Sequence, residues 1–376
     1  MLKRSQLGCR SACLAVHIHI RPQWLLGQAG PPDADAANGA AALNITGLLA
    51  LLAAVQDTGS LSQAARTLGC SYRHAWGQVQ AAQAQFGQAL VVGGRGKGAT
   101  LTALAQKLIW ADKRISARLQ PLLASLASEL AGDLARTGSP QRALRLNASH
   151  GFAVAALVDR LEAGGLTVDL RYRNSLESVA ALSRGACDLA GFHVPIGEFE
   201  QHAAQRYLPW LRADSHRLVH LAVRRQGLFV AAGNPKQIKR LADLARPGVR
   251  FVNRPEGSGT RILTELLLRQ AGLQPRDVTG YDDAEFTHSA VAAFIASGMA
   301  DAGIGVQTAA LRFGLTFIPL LRERYFLAVP LALLHTSPVR DALQMLGTPA
   351  LRADIAALAG YESAETGRVL TLAEAF

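Results

Sequence analysis

Apolar residues recur at helical spacing in two short segments between Ser60 and Phe86. Ser60 and Ser71 precede these segments, where a side-chain oxygen can cap a helix. Gly69-Cys70 separates them, and glycine is the residue that ends a helix at least cost. The pattern predicts two helices joined by a tight turn, which is the arrangement of a helix-turn-helix. The positions predicted to be buried are Leu61, Ala64, Ala65, Leu68, Ala75, Val79 and Ala82.

The second predicted helix is polar on its other side, near its start. Recognition helices read base edges and phosphates through their N-terminal residues, so this face is a candidate DNA-binding surface. An ordinary helical hairpin with a polar face would show the same pattern, and this stretch alone leaves both interpretations open. The candidate DNA-binding residues on this helix are Ser71, Tyr72, Arg73, His74, Trp76 and Gln78.

Two β-type runs, Leu90–Val92 and Ala99–Thr102, follow directly and flank a glycine loop. The loop carries Arg95 and Lys97, whose positive charges suit a phosphate backbone. A hairpin in this place predicts the wing of a winged helix-turn-helix. A nucleotide-binding glycine loop is disfavoured, because such a loop follows a strand and opens a helix.

Amphipathic helices are predicted on both sides of this unit. Leu43–Thr58 forms the first, and Thr102 can cap a long helix over Ala103–Leu130. The apolar stripe of the long helix is too extended for a small domain to cover, so we expect a dimer interface there. Packing on the chain's own second half is the alternative. The stripe consists of Leu104, Leu108, Ala111, Ile115, Leu119, Leu122, Leu126 and Leu130.

Beyond a predicted linker at Gly132–Pro140, short strands alternate with helices. This alternation over about 220 residues predicts a doubly wound α/β architecture, and two lobes joined by crossing strands would fit it. The predicted strands are Arg142–Asn147, Thr167–Tyr172, Cys187–His193, Arg217–Ala231, Val249–Asn253, Asp301–Val306, Thr316–Leu320 and Tyr325–Pro330. The predicted helices are Gly151–Ala163, Ser175–Arg184, Ile238–Leu244, Thr260–Ala271 and His288–Ala296.

Hydroxyl side chains stand where several of these strands give way to helices. In Phe251–Arg261 a strand ends, a glycine turn follows and a helix opens. Such a corner offers free N–H groups and a partial positive charge to an oxyanion, although a glycine-capped helix start would look the same. In a doubly wound fold the corners share one crevice. The candidate ligand-binding residues are Ser149, His150, Ser175, Arg254, Ser258, Gly259, Thr260, Arg261 and Thr287.

Composition narrows the class of protein. The 376 residues suffice for two or three domains, and the net charge of +11 favours an anionic partner. Twelve Lys/Arg against five Asp/Glu fall in the first 131 residues, so much of the excess lies near the predicted helix-turn-helix. No apolar run approaches the roughly twenty residues that span a bilayer, and four scattered cysteines form no disulfide framework. We expect a cytoplasmic protein without a membrane partner.

The first half resembles the N-terminal domain of ModE-type, molybdate-responsive regulators, which is related to the LysR-type winged helix. The resemblance covers roughly residues 21–130 and implies DNA binding as a homodimer. It is carried by Leu48-Leu49-Ala50-Leu51-Leu52, Thr58-Gly59-Ser60-Leu61, Gln63-Ala64-Ala65, Ser71-Tyr72-Arg73-His74-Ala75-Trp76 and Leu101-Thr102.

The second half resembles the periplasmic-binding-protein-like domain related to molybdate-binding proteins, over roughly residues 142–346. One departure is Asn174-Ser175, where the family pattern leads us to expect Gly-Ser; the hydroxyl is kept, but the backbone approach to a ligand changes. The motifs are Ala148-Ser149-His150, Cys187-Asp188-Leu189-Ala190-Gly191-Phe192-His193, Asn253-Arg254-Pro255-Glu256-Gly257-Ser258-Gly259-Thr260-Arg261, Phe286-Thr287-His288-Ser289-Ala290-Val291-Ala292 and Ala300-Asp301-Ala302-Gly303.

The predicted fold class is α/β overall: a winged helix-turn-helix with a long dimerisation helix over residues 43–131, then a two-lobed periplasmic-binding-protein-like domain over residues 142–376. Residues 1–42 are expected to be leader and linker. The resemblances imply a regulator of double-stranded DNA that senses a small oxyanion, molybdate or tungstate. No nucleophile–base pair, metal-ligand cluster or paired carboxylates stand out in the sequence, so we expect no catalytic residues, metal or prosthetic group. The residues themselves argue only for a small anion. A LysR-like sensor of an organic acid and an α/β enzyme acting on a small anion are the alternatives.

Overall fold

A computed structural model describes residues 18–27, 43–93, 98–138 and 143–376. The predicted wing cations Arg95 and Lys97 lie outside the described residues, as does most of the predicted leader. Both predicted architectures are present: a helical N-terminal unit with a small hairpin, and a sheet-rich α/β unit after it.

The N-terminal unit has the predicted helix-turn-helix. Ser60 Oγ accepts a hydrogen bond from the Gln63 backbone N–H, and Ser71 Oγ accepts one from His74, so both predicted caps are confirmed. Gly69 takes a left-handed φ of 67° in the turn, a conformation that glycine adopts without a steric penalty. The elements are β1 (Leu25–Leu26), β2 (Leu43–Asn44), α1 (Thr46–Thr58), α2 (Leu61–Thr67), α3 (Tyr72–Phe86), β3 (Val91–Val92) and β4 (Thr100–Leu101).

The predicted buried side of α2 and α3 forms the core with α1, except that Leu68 is 44% exposed at the end of α2. The wing is attached to this core by Gln83, whose side-chain oxygen accepts hydrogen bonds from the backbone of Leu90 and Val91. The hairpin β3–β4 is antiparallel, as predicted.

The start of the unit corrects two expectations. The predicted helix from Leu43 begins only at Thr46, because Leu43–Asn44 pairs with Leu25–Leu26 as strand β2. Leu25–Leu26 lies within the segment predicted to be leader and linker. Trp24 fixes it further, since its indole N–H donates to Asp112 at 2.8 Å.

Helix α4 spans Ala103–Gly138 and therefore runs through much of the predicted linker at Gly132–Pro140. At its start it packs on the helix-turn-helix core, and further along it lies against the chain's own second half. Packing of this helix on the chain's own second half, which was the alternative to a dimer interface, is thus observed. One stripe of α4 nevertheless faces solvent, comprising Leu122, Leu126, Leu130 and Leu134, each between 45% and 57% exposed.

The second half alternates strands and helices as predicted, up to about residue 330. Its elements are β5 (Leu144–Ala148), α5 (Phe152–Ala163), β6 (Val168–Tyr172), α6 (Ser175–Ser183), β7 (Leu189–Pro195), α7 (Glu200–Gln205), β8 (His216–Val230), β9 (Phe251–Val252), α8 (Gly259–Gln270), α9 (His288–Ala296), β10 (Ala302–Val306), α10 (Gln307–Arg312) and β11 (Thr316–Pro330). Then follow α11 (Ser337–Leu346), α12 (Pro349–Ala356), β12 (Tyr361–Glu362), β13 (Val369–Leu370) and α13 (Leu372–Ala375). The sequence reasoning missed these five elements and also helices α7 and α10.

Within the described residues one mixed sheet runs in the order β6-β5-β7-β11-β8-β10-β9, with β12 and β13 added along β8. Parallel strands β6, β5 and β7 form a first lobe, and β9 and β10 belong to a second. The 15-residue strands β8 and β11 cross between the lobes as an antiparallel pair.

The sheet corrects two further expectations. Thr316–Leu320 and Tyr325–Pro330 are one strand, because a register shift at Pro319/Leu321 bends β11 without ending it. The predicted helix at Ile238–Leu244 is a 3₁₀ helix over Leu241–Ala245. Among the described helices, none combines the length and apolar character needed to cross a bilayer.

Candidate functional site

Four strand-to-helix corners meet at one cleft between the lobes. Two corners belong to the first lobe, after β5 and β6, and two to the second lobe, before α8 and α9. This is the convergence that the doubly wound pattern predicted. The cleft is lined by Ser149, His150, Arg173, Asn174, Arg254, Pro255, Ser258 and Phe286.

Arg254 supplies the main charge of the cleft. It is only 4% exposed, and in the part of the chain that the structure describes it has no ion pair. One guanidinium N–H donates to the Phe286 carbonyl at 2.7 Å, whereas its Nε is buried without a partner. Burial, and next the charge of Arg224, lower the pKa of Arg254 to about 9, so the guanidinium is still charged at neutral pH. A buried, unpaired cation is costly without an anionic partner.

Three more predicted residues line the cleft with Arg254. Ser149 and His150 stand on the corner after β5, and Ser258 is the N-cap of α8. Ser258 Oγ accepts from the Arg261 backbone N–H, which leaves its own hydroxyl hydrogen available to a ligand. Burial, and then the charge of Arg254, lower the pKa of His150 to about 4, so this imidazole is neutral at pH 7 and can still donate one N–H.

Ser175 and Gly259 lie immediately beside the cleft. Ser175 is fully buried, and its Oγ is 3.3 Å from His193 Nδ1. A Cβ built on Gly259 would lie 3.1 Å from His193 Cβ and 3.4 Å from Ser175 Oγ, so the first turn of α8 approaches the first lobe closely. His193 is stacked on Tyr325, and its Nε2 is buried without a partner.

Three of the predicted ligand-binding residues make their side-chain contacts outside the cleft. Thr260 Oγ1 accepts from Gln226, which itself donates to Glu323 beneath the cleft. The Arg261 guanidinium lies 4.0 Å over the Tyr281 ring and donates to the Tyr281 carbonyl. Thr287 caps α9 and donates to the Ala117 carbonyl of α4. None of these three is among the residues that line the cleft.

A buried ion pair supports the floor. Arg224 on β8 binds Glu323 on β11, and both side chains are at most 3% exposed. This pair joins the two crossing strands directly under the ligand corners. Glu323 is in direct contact with Arg224 and also favours the charged form of Arg254, but one carboxylate does not balance two guanidinium groups, so this part of the cleft keeps a net positive charge.

The lobes are in contact across the cleft. Asn174 Nδ2 donates to the Glu256 carbonyl at 3.4 Å, and the Leu176 N–H donates to the Gly257 carbonyl at 3.4 Å. Gly257 has a φ of 79°, and a Cβ there would come within 3.0 Å of the Asn174 amide. The remaining cavity has a volume of about 10 Å³, room for about one water molecule. Entry of an oxyanion therefore requires the lobes to separate.

Sequence reasoning did not select Arg173, Asn174, Pro255 and Phe286 as binding residues. Arg173 and Asn174 stand at the same corner as Ser175, and Pro255 and Phe286 adjoin two other chosen residues. All four residues therefore lie at strand-to-helix corners that the sequence pattern had already identified. Hydroxyl side chains at these corners were the predicted anion ligands, and the neighbouring arginine and aromatic side chains were not predicted.

The Ser175–His193 contact prompts comparison with a catalytic pair. Burial, and next Arg224, lower the pKa of His193 well below its usual value, which weakens it as a base. A serine hydrolase also orients its histidine through a carboxylate, whereas His193 Nε2 has no partner among the described residues. Within those residues no group of His, Cys, Asp or Glu could hold a metal ion.

The predicted DNA-contacting face of α3 is presented to solvent. Ser71, Tyr72, Arg73, His74 and Trp76 are exposed, and the Tyr72 and Trp76 rings lie parallel with centroids 6.4 Å apart. Gln78 is half-buried because its amide lies against Gly47 of α1. A flat aromatic pair beside an arginine offers both apolar and ionic contacts to a duplex.

The matches to known families follow this division of the chain. Residues 158–347 match the PBP superfamily domain, and residues 46–106 match the bacterial regulatory helix-turn-helix protein, lysR family.

Individual proteins are similar over parts of the chain. The uncharacterized protein YvgK of Bacillus subtilis (strain 168) is 36% identical over 200 residues, which cover 53% of this chain and 64% of YvgK. The molybdenum-pterin-binding protein MopB of Rhodobacter capsulatus is 39% identical over 129 residues, 33% of this chain and 47% of MopB. The chain thus spans less than two thirds of either relative. The solved full-length LTTR LysG from Corynebacterium glutamicum aligns with a TM-score of 0.38 and 17% identity, over 82% of this chain and 96% of that one.

Proposed function

We propose that this chain, which belongs to the PBP superfamily through residues 158–347, is a DNA-binding transcriptional regulator. It carries a lysR-family helix-turn-helix over residues 46–106. Its second half binds a small tetrahedral oxyanion, molybdate or tungstate, and this effector changes how the protein binds DNA.

The buried, unpaired guanidinium of Arg254 carries the oxyanion proposal. A charged group in that position requires an anionic partner, and hydroxyl and imidazole donors surround it. The N-termini of α5, α6, α8 and α9 add partial positive charge at the same corners. An oxyanion is the ligand for which both features are suited.

Similarity to other proteins, rather than the chemistry of the cleft, points to molybdate or tungstate among the oxyanions. This choice follows from the resemblance to ModE-type regulators and from the 39% identity with MopB, whose name refers to a molybdenum pterin. The cavity chemistry favours any small tetrahedral anion.

Isothermal titration calorimetry of the purified protein tests the proposal, with molybdate, tungstate, sulfate and phosphate against benzoate and citrate. Saturable binding of an oxyanion supports it. Binding of the organic acids alone would support a LysR-like organic-acid sensor. Turnover of an added anion, followed by product analysis, would support an enzyme.

The DNA-binding half gives a separate prediction. Arg73→Ala is expected to weaken operator binding at least about tenfold, because a phosphate or base contact is lost from the recognition helix. The salt dependence of the affinity should also fall by about one counterion. Electrophoretic mobility shifts at several salt concentrations measure both quantities. Arg276→Ala, on the surface of the second half, removes the same charge and should change neither; equal losses in both variants would contradict this role for α3.

The exposed stripe of α4 predicts a homodimer. Leu126→Gln combined with Leu130→Gln is expected to give monomers in analytical ultracentrifugation, because a leucine stripe about half exposed along four helical turns is apolar surface suited to a second copy. Leu208→Gln is the matched control, since Leu208 is 46% exposed and follows α7 in the second half of the chain. A monomeric wild type, or a double variant that stays dimeric, would refute the interface.

A further inference from the structure

We infer that Arg173 makes the cleft selective for doubly charged over singly charged tetrahedral anions. This inference rests on the proposed oxyanion function and deepens it. Arg254 provides one counter-charge, and Arg173 provides the second from the opposite lobe.

The backbone holds Arg173 at the mouth of the cleft. It follows the last residue of β6, and its N–H donates to the Ala148 carbonyl at 2.9 Å, which ties the β5 and β6 corners together. Arg173 lines the same cavity as Arg254 and Ser258. The residue is exposed, and within the described part of the chain it has no ion pair.

The two arginines lie on different lobes. Arg173 stands after β6 in the first lobe, whereas Arg254 stands between β9 and α8 in the second. An anion between them therefore bridges the lobes, and each additional negative charge on the anion strengthens both contacts. The hydroxyl and backbone donors, in contrast, recognise shape and hydrogen-bonding pattern that a monoanion and a dianion of the same geometry share.

Arg171, two residues earlier, is an arginine that differs from Arg173 in being paired with carboxylates. Its side chain is 41% exposed and is bound by Asp169 and, at 3.7 Å, by Glu129 of α4. Its charge is already compensated, and it is not among the residues that line the cavity. Arg171 and Arg173 thus lie close together in the sequence but have different electrostatic environments.

Tungstate and perrhenate separate charge from shape, since both are tetrahedral oxyanions of similar size and only tungstate is a dianion at neutral pH. In calorimetry, Arg173→Gln should weaken tungstate binding about tenfold, as loss of an exposed charge-assisted hydrogen bond implies. Perrhenate binding should weaken by only about threefold, because the Coulomb energy with a single charge is half as large, so the preference for the dianion falls. Arg171→Gln, the matched control, should leave both affinities unchanged.

The outcomes distinguish the inference from the function on which it rests. If wild type binds tungstate and Arg173→Gln weakens both anions equally, or neither, the selectivity role is overturned while the oxyanion function stands. If wild type binds no tetrahedral oxyanion at all, both are overturned. Thermal melting of the ligand-free variants confirms that a loss of affinity does not come from unfolding.

Discussion

Arg254→Met is expected to abolish oxyanion binding while leaving the ligand-free protein at least as stable as wild type. The two effects have one cause. A guanidinium that is 4% exposed and unpaired among the described residues costs free energy in the empty cleft, and methionine of similar length fills the space without charge. The same substitution removes the main counter-charge from the ligand. We expect affinity to fall by more than about a hundredfold.

Calorimetry with tungstate measures the affinity, and chemical denaturation without ligand measures the stability. Arg261→Met is the control, because the Arg261 guanidinium lies on Tyr281 and its loss should change affinity by less than about twofold. Full binding by Arg254→Met would refute the site. A severe loss of stability in that variant would show that Arg254 is chiefly structural, contrary to our assignment.

The contrast between Arg254 and Arg261 shows what the sequence can and cannot predict about the site. Strand-to-helix corners follow from hydrophobic patterning and capping residues, so the convergence of Ser149, Ser258 and Arg254 was predictable. The direction of each side chain was not. Thr260 and Arg261 follow Ser258 on one helix and point to different neighbours, Gln226 and Tyr281, which the fold brings near from distant parts of the sequence.

The same distinction applies to the fold. Ser60, Ser71 and Thr102 cap helices through contacts within three residues, so local reasoning found those helix starts. Strand β2 depends on pairing with Leu25–Leu26, which no local pattern encodes. Helix α4 runs past Gly132, and four residues before that glycine Ser128 is held by strand β6, a contact that no local pattern encodes.

Helix α4 bridges the two lobes, which gives the cleft a direct route to the DNA-binding half. On the first lobe, Ser128 Oγ donates to the Val168 carbonyl and accepts from the Leu170 N–H, and Ser125 Oγ accepts from the Tyr172 N–H. These serines satisfy the free edge of β6. On the second lobe, Arg118 binds both carboxylate oxygens of Glu285.

Glu285 is the residue before Phe286, whose carbonyl accepts from Arg254. A ligand that recruited the Arg254 guanidinium would compete with that carbonyl, and we expect this competition to shift the loop that holds α4. Separation of the lobes also requires α4 to release one of them, since it is attached to both. We therefore expect ligand state and the position of the helix-turn-helix to be coupled through α4.

Glu285→Gln is expected to uncouple the two halves. It should keep the wild-type affinities for oxyanion and for operator DNA, each measured alone, because neither binding face includes this residue. The neutral amide removes the charge of the pair with Arg118, on which the link between the loop and α4 depends. The effect of tungstate on operator affinity, typically about 5- to 150-fold for such coupling, should shrink to within about twofold. Fluorescence anisotropy of labelled operator with and without tungstate measures this effect.

Arg118→Ala should also reduce the effect of tungstate, although it leaves the Glu285 carboxylate, which is 2% exposed, without its partner. In the variant that carries both substitutions, the effect of tungstate on operator affinity should be no smaller than in either single variant, because the two residues act through one contact. A wild-type response in Glu285→Gln would show that the signal does not pass through this ion pair.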